Sequence, residues 1–192
     1  MLQQTQVPRV IPRYLEFLQM FPTPAACATA PRGDVIRLWG DLGFARRAVN
    51  LHAAAVLIVE RHGGQVPRDV AALRALPGIG GYTARAVLAF AWDDEAAPVD
   101  TNIGRVLARA VAGERLTPTR AQDLADGLVP RGRSRDWSLA LMDLGAQVCA
   151  KSAPRCSDCP LLATCVWAVA GWPDPDPARG SAGVSRAQSP FA

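Results

Sequence analysis

An all-α fold is what this 192-residue sequence predicts, on three observations. Apolar residues recur at helical spacing in Val10, Tyr14, Phe17, Leu18 and Phe21, and again in Leu51, Ala54, Ala55, Ile58 and Val59, so each run should bury one face. Proline and glycine cut these patterns into short helices at Pro22-Thr23-Pro24, Pro31-Arg32-Gly33, His62-Gly63-Gly64 and Pro77-Gly78. The stretch that alternates most like a strand, Ala96-Ala97-Pro98-Val99-Asp100, contains a proline and is too short for a sheet.

In chain order, the two amphipathic runs are followed by Leu76-Pro77-Gly78-Ile79-Gly80-Gly81-Tyr82-Thr83-Ala84. It lies between an apolar helical run ending at Leu76 and another from Tyr82 to Phe90. Gly78 and Gly80 permit turns that aim backbone N–H groups outward, and the next helix start adds partial positive charge, a combination that suits a phosphate. By itself a glycine-rich turn between helices is equally a plain tight turn. Asp100 stands where a helix from Thr101 towards Ala112 needs an N-cap, a contribution of about 1 kcal/mol. Four of five cysteines then crowd into Cys149-x6-Cys156-x2-Cys159-x5-Cys165, while Cys27 stands alone and reads as a buried hydrophobe. Four clustered thiols argue for a metal, and spacing alone leaves both zinc and an iron–sulfur cluster open.

Composition narrows the classes. With 49% hydrophobic and 20% charged residues the chain reads as globular, with a core for one domain or two small ones. No apolar run reaches the ~20 residues of a membrane span, and the opening Met1-Leu2-Gln3-Gln4-Thr5-Gln6-Val7 is not a secretory signal, so a cytoplasmic place is expected, nucleoid-associated in a bacterium. The net charge of +4 comes almost wholly from arginine, Lys151 being the only lysine; it suits a phosphate-binding face and a mixed solvated surface alike. From Gly171 onward proline, glycine, serine and arginine dominate, and a disordered tail is expected over residues 172–192.

The cysteine spacing resembles the cluster loop of the endonuclease III superfamily of DNA glycosylases. Leu76 to Ala84 resembles its helix-hairpin-helix, and Pro98-Val99-Asp100-Thr101-Asn102-Ile103-Gly104-Arg105-Val106 its aspartate segment. Within that superfamily the opening Leu2-Gln3-Gln4-Thr5, Leu38 to Phe44 and Leu139 to Gly145 resemble adenine glycosylases. The resemblance implies a six-helix barrel with the hairpin over residues 1–94, a catalytic segment and helical cluster domain over 95–171, and a cleft between them. It implies a 4Fe–4S cluster on Cys149, Cys156, Cys159 and Cys165, with Lys151 and Arg155 nearby, either against phosphates or merely solvated. It implies a monomer that binds mismatched double-stranded DNA through Gln4, Phe44, Gly78, Ile79, Gly80, Tyr82, Thr83 and Asn102. Gln4 would wedge into the duplex; Phe44 would either insert opposite the flipped base or sit in the core.

The implied activity is base excision: hydrolysis of the N-glycosidic bond of adenine opposite 8-oxoguanine or guanine, with Asp100 as the catalytic carboxylate and Asn102 helping to place it. Tyr82 occupies the position at which strand-nicking members carry a Schiff-base lysine, so a purely hydrolytic enzyme is expected. The glutamate acting as general acid in adenine glycosylases falls two positions before Met1, and Glu16 is too far along the helix to replace it. A start codon further upstream is therefore expected, with a helical leader. The domain that reads 8-oxoguanine in many relatives is expected to be missing too. Two other readings stay open: a thymine-mismatch or oxidised-pyrimidine glycosylase, and a noncatalytic DNA-binding remnant.

Overall fold

The computed structural model describes residues 1–171, and no strand occurs among them. The expected tail over 172–192 lies outside the described residues. The chain divides into two compact units, Met1–Pro98 and the part from Val99 onward.

In the first unit, α1 (Val7–Met20), α2 (Pro24–Thr29) and α3 (Arg32–Trp39) lead through a 3₁₀ turn (Gly40–Leu42) into the long α4 (Arg46–His62). The punctuation acts as chemistry requires. Thr23 Oγ1 accepts from the Ala26 N–H at 3.1 Å to start α2, and Gly63 takes φ 59° to stop α4. Packing of α4 against α2 and α3 closes one core around Val10, Phe17, Phe21, Cys27, Val35, Trp39 and Ala48. The other face of α4 gives Ala54 and Ile58 to a second core with Leu73, Leu76, Ala84 and Leu88. That core carries α5 (Val70–Arg74), capped by Asp69, and α6 (Gly81–Val87), which widens into a π-helical turn (Leu88–Trp92).

The buried stripe of α1 is narrower than its periodicity predicts. Val10, Phe17 and Phe21 are buried, but Tyr14 is 50% and Leu18 41% exposed; the main helical contacts of α1 are with α3 and the Gly40–Leu42 turn. On α4, likewise, Ala54, Ala55 and Ile58 are buried while Val59 faces outward.

The second unit is built on α7 (Thr101–Val106), which continues as a π-helical turn to Ala112, followed by α8 (Pro118–Leu128) and α9 (Ser134–Asp143) with its own π-helical turn, Leu144–Val148. Ile103, Val106, Leu107, Ala121 and Ala125 are its buried apolar residues. The chain then loops through two 3₁₀ turns, Cys156–Asp158 and Leu162–Thr164, to the short α10 (Val166–Val169), which packs on the widened end of α7. Among the described residues, no helix is long and apolar enough to cross a membrane.

Candidate DNA-contacting turns, aspartate and cysteine loop

In the first unit, the predicted hairpin is a tight turn between α5 and α6. Gly78 adopts φ 79°, and a Cβ there would come within 2.9 Å of Asn50 Cβ, so glycine is required twice over. Gly80 differs from expectation: its φ of −87° suits any residue, so its lack of a side chain is not needed for the turn. A Cβ on Gly80 would meet nothing of the chain within 4 Å, which leaves the backbone open to approach from outside. The Ile79 N–H donates to Leu76 O at 3.2 Å and closes the turn. Gly80, the N-cap of α6, supplies no side-chain cap, and Tyr82 is 44% exposed on the first turn.

Gln3 Nε2 joins the opening segment to this hairpin, donating to Gly78 O at 3.2 Å and Thr83 Oγ1 at 3.3 Å. Gln4 is exposed on a turn closed by the Thr5 N–H to Leu2 O, and its φ is 57°. Phe44 is 68% exposed with φ 49°, which removes the core alternative for that ring.

In the second unit, Asp100 is the N-cap of α7. Its Oδ1 accepts from the N–H groups of Asn102 at 2.9 Å and Ile103 at 2.7 Å, and its Oδ2 from Asn102 Nδ2 at 3.2 Å. Capping and catalysis can share this carboxylate, because the donors that end the helix also orient the oxygens. Asn102 is held in turn: its Oδ1 accepts from Arg105 at 2.9 Å, and the same guanidinium donates to Gly145 O at 2.6 Å and Cys149 O at 2.8 Å.

Cys149, Cys156, Cys159 and Cys165 line one pocket, walled by Val106, Leu144, Val148, Leu161 and Trp167. All four are free thiols, and among the described residues no group of three Cys, His, Asp or Glu side chains is placed to hold a single ion. Arg109 is 8% exposed against this pocket. It donates to Cys149 Sγ at 3.6 Å and Ala150 O at 2.8 Å, with its guanidinium carbon 4.7 Å from the Trp167 ring centroid. Arg155 donates to Gln147 O at 2.9 Å and pairs with Asp158, bracing the loop, while Lys151 is exposed. Cys27 is buried in the first core, and its burial pushes the thiol pKa up, as a structural cysteine requires.

Sequence reasoning missed Arg47, Arg105 and Arg109. Besides nearer partners, each reaches a carbonyl roughly 40 residues away in the chain, a contact that no local spacing marks.

Residues 1–131 match the family described as HhH-GPD superfamily base excision DNA repair protein. The adenine DNA glycosylase of Mycobacterium tuberculosis (strain H37Rv) is 47% identical over 189 residues, covering 95% of this chain and 62% of its own length. The Homo sapiens adenine DNA glycosylase is 39% identical over 171 residues, covering 86% of this chain and 31% of its own length. The chain thus spans less than two thirds of each of these curated relatives. A solved thermostable thymine-DNA glycosylase is similar with a TM-score of 0.79 at 30% identity, over 88% of this chain and 80% of that one. Endonuclease III in a non-covalent DNA complex shares the fold, with a TM-score of 0.71 at 24% identity over 84% of this chain and 77% of that one. The helical units, the hairpin between α5 and α6 and the family match over two thirds of its length together place this chain in the HhH-GPD superfamily of base excision DNA repair proteins.

Proposed function

We propose that the chain is the core of a hydrolytic DNA N-glycosylase acting on adenine mispaired with 8-oxoguanine or guanine. The observation that carries this is Asp100, a carboxylate at the start of α7 oriented by three donors, in a chain 47% identical to an adenine DNA glycosylase. On this reading the adenine is turned out of the duplex and its ring is protonated. The N9–C1′ bond breaks, its electron pair leaving on the base, while Asp100 stabilises the positive charge developing on the sugar. Water adds to C1′ and releases a proton, giving free adenine and an abasic site. Lys151, the only lysine, belongs to the cysteine loop, and Tyr82 stands at the Schiff-base position, so the strand stays uncut.

The exposed Phe44 and Gln4 suit insertion into the duplex, and the open backbone at Gly80 suits a phosphate. The four thiols line one pocket, which suits their holding a 4Fe–4S cluster together. Such a cluster would be held by Cys149, Cys156, Cys159 and Cys165 and would tie the loop together; base removal itself needs no step through it.

The test measures base release from A:8-oxoguanine, A:G and T:G duplexes. It uses the 192-residue chain and the same chain with Glu-Val added ahead of Met1, where the resemblance places the general acid. The extended chain should release adenine without strand cleavage, and Asp100→Asn should abolish release. Preferential action on T:G would favour the thymine-mismatch reading, which the 30% identical thymine-DNA glycosylase structure keeps in view. Duplex binding without release by either chain would leave the DNA-binding remnant.

A further inference from the structure

Arg47 is densely engaged within the first unit. Its two terminal nitrogens donate to five oxygens: Met1 O at 2.9 Å, Gln3 O, Thr5 Oγ1 at 2.9 Å, Leu42 O at 2.9 Å and Gly43 O at 3.1 Å. The first three belong to the turn that presents Gln4, the last two to the turn that presents Phe44. The guanidinium carbon also lies 5.3 Å from the Trp39 ring centroid and 5.5 Å from that of Phe44. Trp39 Nε1 in turn donates to Gly43 O at 3.1 Å.

The two turns share a second property. Gln4 at φ 57° and Phe44 at φ 49° are exposed non-glycine residues in the left-handed region, which is rare for any side chain and an outlier for a bulky ring. Such backbone persists only where its surroundings over-determine it, and it concentrates at sites of function. What the two turns share in their surroundings is one guanidinium, whose planar fork reaches oxygens of both at once.

We propose that Arg47 is a positioning residue that sets the Gln4 and Phe44 turns in register, so that both side chains meet the duplex as one unit. The inference rests on the DNA-glycosylase reading above. It distinguishes Arg47 from the ordinary role of a basic residue in such a protein, because a guanidinium whose two terminal nitrogens already donate to the chain's own oxygens, and whose Nε is buried without a partner, is not placed to bind a phosphate.

The experiment uses duplexes carrying 2-aminopurine beside an A:8-oxoguanine pair, with fluorescence reporting unstacking and titrations giving affinity for mismatched and matched DNA. A wild-type chain that neither binds the mismatch nor raises fluorescence overturns the DNA reading, and with it this one. Given a wild-type response, Arg47→Gln and Arg47→Lys should both lose the fluorescence rise and about tenfold in mismatch preference, a size expected of groups in one hydrogen-bond network. The dependence of matched-duplex affinity on salt should stay unchanged; a phosphate-binding arginine would instead lower its slope by about one. A full response from Arg47→Lys, or a lowered salt slope, overturns the proposal. Should the Arg47 variants fail to fold, Gln4→Ala, Phe44→Ala and the double variant decide. Residues presented as one unit give strongly non-additive losses, and additive losses overturn the coupling.

Discussion

Gly145 sits in the widened turn at the end of α9, where a Cβ would fall 2.7 Å from Asn102 Cβ and 3.0 Å from its backbone. Backbone cannot swing aside as the end of a long side chain can, so Gly145→Ala must push Asn102, and with it the donors that orient Asp100. Overpacking of this kind costs about 1–3 kcal/mol. The expected outcome is a lower melting temperature together with a loss of base release larger than the destabilisation explains; an unchanged melt and rate would show that the turn accommodates the methyl group. Asp100 was readable because capping is local: carboxylate, helix start and donors lie within three residues. The close approach of Gly145 to Asn102, some forty residues apart, was not.

At the scale of elements, the α5–α6 hairpin is bracketed by Arg68 before α5 and Asp94 after the π-helical turn that extends α6. Arg68 Nε donates to Asp94 Oδ2 at 2.6 Å, a second bond runs from its terminal nitrogen to Oδ1, and the guanidinium lies over Trp92. The hydrogen bond from Arg68, helped by its charge and against the opposing effect of desolvation, holds the Asp94 carboxyl below its ordinary 3.8. A carboxyl lowered on folding gives stability that is complete above its unfolded value and is lost as pH falls through the folded one. Asp94→Asn should therefore lower the melting temperature modestly at neutral pH, with the difference from wild type shrinking to nothing in strong acid. A difference independent of pH would mean that shape rather than charge holds the bracket. Of the helix boundaries, the breaks at Pro22-Thr23-Pro24 and His62-Gly63-Gly64 were legible from proline and glycine, while the caps that Asp69 and Thr117 supply to the helices that follow emerged with the structure. The π-helical ends of α6, α7 and α9 were not, since periodicity over one turn does not separate a widened helix from an ordinary one.

Across the whole molecule, the stretch from Cys149 to Cys165 holds two short 3₁₀ turns and no fully buried residue, so the four thiols must contribute much of its order if they bind iron. The purified protein should be brown and carry about four irons per chain, and Cys159→Ser should lower iron content, soluble yield and melting temperature together. Stoichiometric zinc without iron would overturn the cluster, and an unaltered melt would show that the loop holds by packing alone. By itself the sequence determined the helical class, the hairpin, the capped Asp100 and the cysteine loop, since each is written in residues a few positions apart, where spacing, turn preference and capping act. The tertiary structure alone decided how narrow the buried stripe of α1 is, that Phe44 faces outward, and that Arg47, Arg105 and Arg109 hold these parts in place. Those contacts join residues tens of positions apart, and an arginine's long side chain leaves no local trace of which distant carbonyl it will meet.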